Sequence, residues 1–149
     1  MNIFVTDKCY KLCAQSLDDK RVIKMILETA QLLSTAVYIN SGNKYEDLYK
    51  PTHIKHPCTI WAAKTRGNWI WLYNYLKALC KEYNFRYGRV HAIEKKLLLE
   101  QYKSFIPEGS ILNFVNCTRS EAIDFRDKIY QAYRNYLMEI RYSPSNLEK

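Results

Sequence analysis

The longest amphipathic signal in the chain is SLDDKRVIKMILETAQLLSTAVY, residues 16–38. At about 100° per residue, Val22, Met25, Ile26, Thr29, Leu33, Ala36 and Val37 share one face. That spacing predicts a continuous helix from about residue 18 to 38, with the stripe turned to the core and no Gly or Pro to break it. Ser16 or Asp18 offers an N-cap, and Asp18 and Asp19 suit the positive end of the helix dipole. Ahead of it, NIFV reads as an extended start, the one place where a short N-terminal strand fits the pattern. Residues 40–57, NSGNKYEDLYKPTHIKHP, read as a loop, because Pro51 and Pro57 each disfavour helix in the residue before them. Helix should resume at Pro57, which suits a first helical turn, and run to Tyr83 or Asn84 with room for a break near Thr65–Gly67. Gly88 is a natural stop. Residues 90–104 read as another helix and IPEGS as a turn. Thr118 and Glu121 have capping-box spacing for a last helix to about Tyr142, with Pro144 just beyond. The pattern is all-α, with about four main helices in a single domain over residues 1–149 and no internal repeat or linker.

Composition narrows the class. The chain has 149 residues, 48% hydrophobic and 26% charged, which is the balance of a globular domain. No run approaches 18 consecutive apolar residues, so no transmembrane span or membrane partner is expected. The start lacks a basic region ahead of an apolar run, so no signal peptide is expected. Cysteines at 9, 13, 58, 80 and 117 form an odd set without zinc-ribbon spacing. They read as free thiols of a cytoplasmic protein. Charge changes the picture more. With 23 Lys and Arg against 15 Asp and Glu, the formal net charge is +8. Such a basic protein attracts polyanions, and its 13 tyrosines and three tryptophans offer flat faces for bases. A nucleotide or nucleic acid is the expected partner.

Several groups could carry chemistry. Lys20, Lys24, Glu28, Gln31, Thr35 and Tyr38 fall within roughly an 80° arc of the first long helix, with Arg21 at its edge. Cations beside one carboxylate suit a phosphate with an acid or base close by; the same pattern also describes a solvated helix face. His53 and His56 sit between prolines beside Lys50 and Lys55, fit for phosphate contact, proton transfer or plain loop bonding. Cys58 follows, but a second pair of ligands is missing, with Cys80 and His91 left only by elimination. No metal and no cofactor are therefore expected. Lys64, Arg66 and Asn68, flanked by Trp61, Trp69 and Trp71, could hold phosphate, although most indole area should be buried. Tyr83, Arg86, Tyr87, Arg89 and His91 form another cation–aromatic cluster around a helix stop. Tyr130, Tyr133 and Tyr136 read as structural or as the interface of a homo-oligomer. P-loop, G-x-G-x-x-G, H-E-x-x-H and serine-elbow motifs are all missing, which argues against ATP hydrolysis, dinucleotide redox chemistry and zincin proteolysis.

Three ordered motifs, LDDKRVIKMILETAQLLSTA, YKPTHIKHPCTIW and ALCKEYNFRYGRVH, resemble a group of small proteins of tailed bacteriophages over about residues 3–91. More distantly, a helix with D-x-K-R and Glu, a His-Pro loop and a Trp-bearing helix are similar to the pyrimidine-dimer DNA glycosylase family. That resemblance implies a small, basic, mainly helical enzyme. It implies excision of a damaged base by a terminal amine, with a helix glutamate beside arginines. The glutamate role falls on Glu28, with Arg21 and Lys24 near it. Asn2 is not a small second residue, so Met1 is expected to stay. Two readings follow: an enzyme acting at an N-glycosidic bond in DNA or a nucleotide, and a non-catalytic binder sequestering a nucleotide immune signal as an anti-defence device.

Overall fold

The structure, a computed structural model, describes residues 2–115, 117 and 129–141. It holds five α-helices, α1 (Tyr10–Ser16), α2 (Asp19–Ser41), α3 (Pro57–Lys64), α4 (Arg66–Tyr87) and α5 (Ile129–Arg141), with a 3₁₀ helix (Ala92–Phe105) between α4 and α5. The all-α expectation holds.

Helix α2 is the centre of the fold, packed against α3, α4 and the 3₁₀ helix, while α4 also covers α1 and α3. Every position of the expected stripe, from Val22 to Val37, is buried. Each large apolar side chain so buried contributes about 1.5–3 kcal/mol. By length and composition α2 could cross a membrane, but 61% of that apolar window is buried inside the protein, as in a core helix. Asp18 is the N-cap by backbone only; its carboxylate pairs with Arg21 instead of closing the first turn. Gly42, left-handed at φ 73°, ends the helix.

The loop after α2 folds back along it. Tyr49 N–H donates to Ser34 Oγ and Thr52 N–H to Thr35 Oγ1, each at 3.2 Å. Thr35, expected on the polar arc, is thus fully buried. Pro57 opens α3 as its spacing predicted. The break falls at Thr65, whose hydroxyl accepts Asn68 N–H at 3.1 Å and so caps α4. The chain of 107–111 lies across this break, with Arg66 N–H on Pro107 O and Gly67 N–H on Gly109 O. A Cβ at Gly67 would strike the backbone of Ser110 and Ile111, so that position needs glycine. Gly88, at φ 64°, stops α4.

Two expectations need correction. NIFV forms no strand: no strand lies beside it among the described residues, and Asn2 Oδ1 takes the N–H groups of Ile3 and Phe4, turning Phe4 left-handed at φ 59°. Residues 2–6 run buried as an irregular strap. Residues 92–105 wind as 3₁₀ instead of α, which lines up positions three apart. Ile93, Leu99 and Tyr102 thereby share one buried edge. Helix α1 was not foreseen. The indoles are core, as expected: Trp61, Trp69 and Trp71 are buried and donate to the carbonyls of Asn113, Leu33 and Lys8. The expected capping box at Thr118–Glu121 and the end at Tyr142 lie outside the described residues.

Candidate functional site

The first turns of α2 set Arg21, Lys24 and Glu28 on one side at helical spacing, with Met25 behind them. Around this side gather Asn2 and Phe4 from the strap, His56 from the start of α3, Cys117, and Tyr136 and Ile140 of α5. Together they enclose a cavity of about 330 Å³. That volume lies at the low end of the range of about 300–1,000 Å³ for ligand sites, enough for one nucleotide-sized group.

The polar groups differ in how far they are already committed. Arg21 Nη1 lies 3.1 Å from Asp18 Oδ2, holding the guanidinium against the helix start. Lys24 is exposed and Glu28 half-buried. Among the described residues neither has a hydrogen-bond or ion-pair partner. A carboxylate left uncommitted beside two cations can bind a proton, orient a nucleophile or offset a growing positive charge.

His56 caps α3, its Nδ1 accepting Cys58 N–H at 3.1 Å. Burial chiefly pushes its pKa below the usual histidine value, and the positive charges of the amino terminus and His53 add to the effect. The ring is neutral at physiological pH, with its proton on Nε2. Cys117 is fixed from two sides: its carbonyl accepts from Asn2 Nδ2 at 3.2 Å, and its N–H donates to Tyr133 Oη at 3.1 Å. Its thiol is held below the ordinary range, chiefly because the thiolate accepts from Cys58 Sγ. The Cys58 thiol is pushed up by that same bond and by burial.

The other residues singled out by sequence fall elsewhere. Lys20 and Gln31 flank the cavity on α2 without lining it, and His53 stands outside it, bonded through Nδ1 to Thr52 Oγ1. Lys64 is exposed at the end of α3. Arg66 is spent on the carbonyls of Lys103, Ser104 and Ile106. Asn68 is fully buried, bridging Trp61 O and Leu112 N–H. Arg86 ties Glu82, Asp19 and Gln15 O together, and Tyr87 Oη reaches Asp19 O. Tyr83 packs on Tyr87 and His91, while His91 caps the 3₁₀ helix by accepting Ile93 N–H. Asn2, Phe4, Met25, Cys117, Tyr136 and Ile140 escaped sequence reasoning. Only Asn2 had a signal, since a terminal-amine chemistry requires the chain start to reach the site.

A larger groove, about 660 Å³, runs between α1 and α4 and carries Lys11, Lys77 and Lys81. Its one carboxylate, Glu82, is paired with Arg86 at 2.8 Å, so the groove offers cations but no uncommitted acid. The cavity at the start of α2 is the better candidate for chemistry.

Comparison with known proteins gives one family: residues 1–95 match the pyrimidine dimer DNA glycosylase family. The match spans Asn2, Arg21, Lys24, Glu28 and His56. It lends no support to the reading as a nucleotide-sequestering protein. Neither the curated proteins nor the solved structures contain a match.

Proposed function

The chain belongs to the pyrimidine dimer DNA glycosylase family, and from that premise we propose that it excises a damaged pyrimidine from DNA in the cavity at the start of α2. The observation that carries this reading is Glu28, a carboxylate without a partner among the described residues, in one cavity with Arg21, Lys24 and Asn2.

The target nucleotide leaves the stack and enters the cavity. Arg21 and Lys24 take its flanking phosphates and fix the sugar against α2. As the bond from C1′ to the base nitrogen breaks, the bonding pair leaves with the base and positive charge grows on the sugar. Glu28 faces that charge and stabilises it. A nucleophile then joins C1′. The amino group at the chain start serves if it follows the family's chemistry, leaving a covalent imine with the opened sugar. Water activated by Glu28 leaves a simple abasic site.

The test uses duplex DNA irradiated to form pyrimidine dimers, followed by cleavage of abasic sites. The parent should nick irradiated DNA and leave unirradiated DNA intact, and Glu28→Gln should bind it without nicking. Borohydride in the reaction identifies the nucleophile, since only an imine is trapped as a protein–DNA adduct. Nicking by Glu28→Gln at the parental rate would overturn the assignment of Glu28. No nicking of irradiated DNA by the folded parent would overturn the activity.

A further inference from the structure

Cys58 and Cys117 are 59 positions apart in sequence, yet their sulfurs lie 3.2 Å apart. A ring nitrogen of His56 joins them, all three atoms lying within 4.8 Å of one another. We propose that His56, Cys58 and Cys117 hold one zinc ion in the wall of the Glu28 cavity.

The donor set fits the metal. Two thiolates and one imidazole are the soft and borderline ligands that zinc prefers, and zinc imposes no geometry beyond a loose tetrahedron. With Zn–S near 2.3 Å, a tetrahedral centre sets its sulfurs about 3.8 Å apart, so the pair need part by only about 0.6 Å. Cys117 is anchored through its own backbone by Asn2 and Tyr133, the outer support that metal ligands ordinarily have. When His56 Nδ1 turns its lone pair to the ion, Cys58 N–H becomes one of the open donors normal to a helix start.

Binding displaces the protons of both thiols, two in all, leaving two thiolates around a divalent cation and no added net charge. Arg21 and Lys24 remain the cavity's cations, and the ion acts as a clamp between the start of α3 and residue 117. His56 and Cys117 both line the cavity, so the fourth position opens into it and takes water or an oxygen of a bound ligand. The proposal stands apart from the glycosylase reading, because metal content is measured without substrate.

The full chain is produced in zinc-supplemented medium with reductant, and its metal is counted against protein. About one zinc per chain is expected, falling at least several-fold in Cys58→Ser, Cys117→Ser and His56→Ala. Cobalt added to the metal-free parent covers the case where a variant does not fold. Near-ultraviolet sulfur-to-cobalt absorption of two-thiolate strength is the supporting result. A folded parent that takes neither ion overturns the proposal. So does zinc retained in all three variants, or a Cys58–Cys117 disulfide, two hydrogens lighter, whose reduction restores no metal uptake.

Discussion

Two sets of polar residues looked alike in sequence and differ in the fold. Arg66, Asn68 and Arg86 on α4 are taken up in bonds to carbonyls, a backbone amide and carboxylates. On α2, Arg21 keeps one ion pair, while Lys24 and Glu28 stay uncommitted among the described residues and face a cavity. Residue type alone did not separate them. A cation already holding backbone together cannot turn to a phosphate without loosening the chain, whereas one at a cavity wall can do so freely. Side chains of the first kind act on stability, and those of the second on binding and turnover.

The contrast is sharpest at Glu28. Replacement by Gln should cut turnover by about 10²–10⁴-fold, leaving DNA affinity and melting temperature near parental values. Single-turnover kinetics beside a binding titration reads both, and a large loss of melting temperature in this variant would erase the distinction.

Asn68→Ala should do the reverse. It leaves the buried Trp61 carbonyl and the Leu112 N–H without their partner, costing about 1–3 kcal/mol. In a chain of this size each kcal/mol lowers the melting temperature by about 2–4 °C. Activity per folded molecule should not change; if it drops with stability intact, Asn68 belongs to the site after all.

Lys24→Ala should weaken duplex binding and reduce the slope of log affinity against log salt by about 1, one phosphate contact fewer. Arg86→Ala should leave that slope alone. Equal slopes lost in the two variants would put α4 back among the DNA contacts.

The smallest effect lies at His91. Burial is the main cause lowering its pKa, with Glu94 opposing, and the neutral ring accepts Ile93 N–H as a cap. The unfolded chain therefore takes up its proton first as pH falls. The stability from this group is complete above the unfolded value of about 6.5 and declines as pH drops through the window below it, towards the folded pKa. His91→Asn keeps a capping oxygen without the titration, so its denaturation midpoint should fall less than the parent's between neutral and mildly acidic pH. Parallel curves would mean that the cap contributes nothing.

What could be read beforehand follows local rules. The stripe from Val22 to Val37, the start at Pro57, the break at Thr65 and the stop at Gly88 each depend on a few neighbouring residues. Glu28, Arg21 and Lys24 could be grouped because one helix carries them. The unread features depend on distant partners. Thr35 is buried because Thr52 folds onto it, and the 3₁₀ winding answers to the core under Ile93, Leu99 and Tyr102. Cys117 meets Cys58 only through tertiary folding, so no local spacing marks it as a partner of His56.

The buried strap of residues 2–6 bears on how the protein can be handled at the bench. Asn2 is both a cavity wall and the residue that fixes the strap through Ile3, Phe4 and Cys117. A purification tag or fusion partner joined ahead of it would emerge at the cavity and compete with any ligand for the same space. Tagged preparations can therefore look inert while being correctly folded, and a removable leader that leaves nothing ahead of the strap's own residues is the sound choice for assay material.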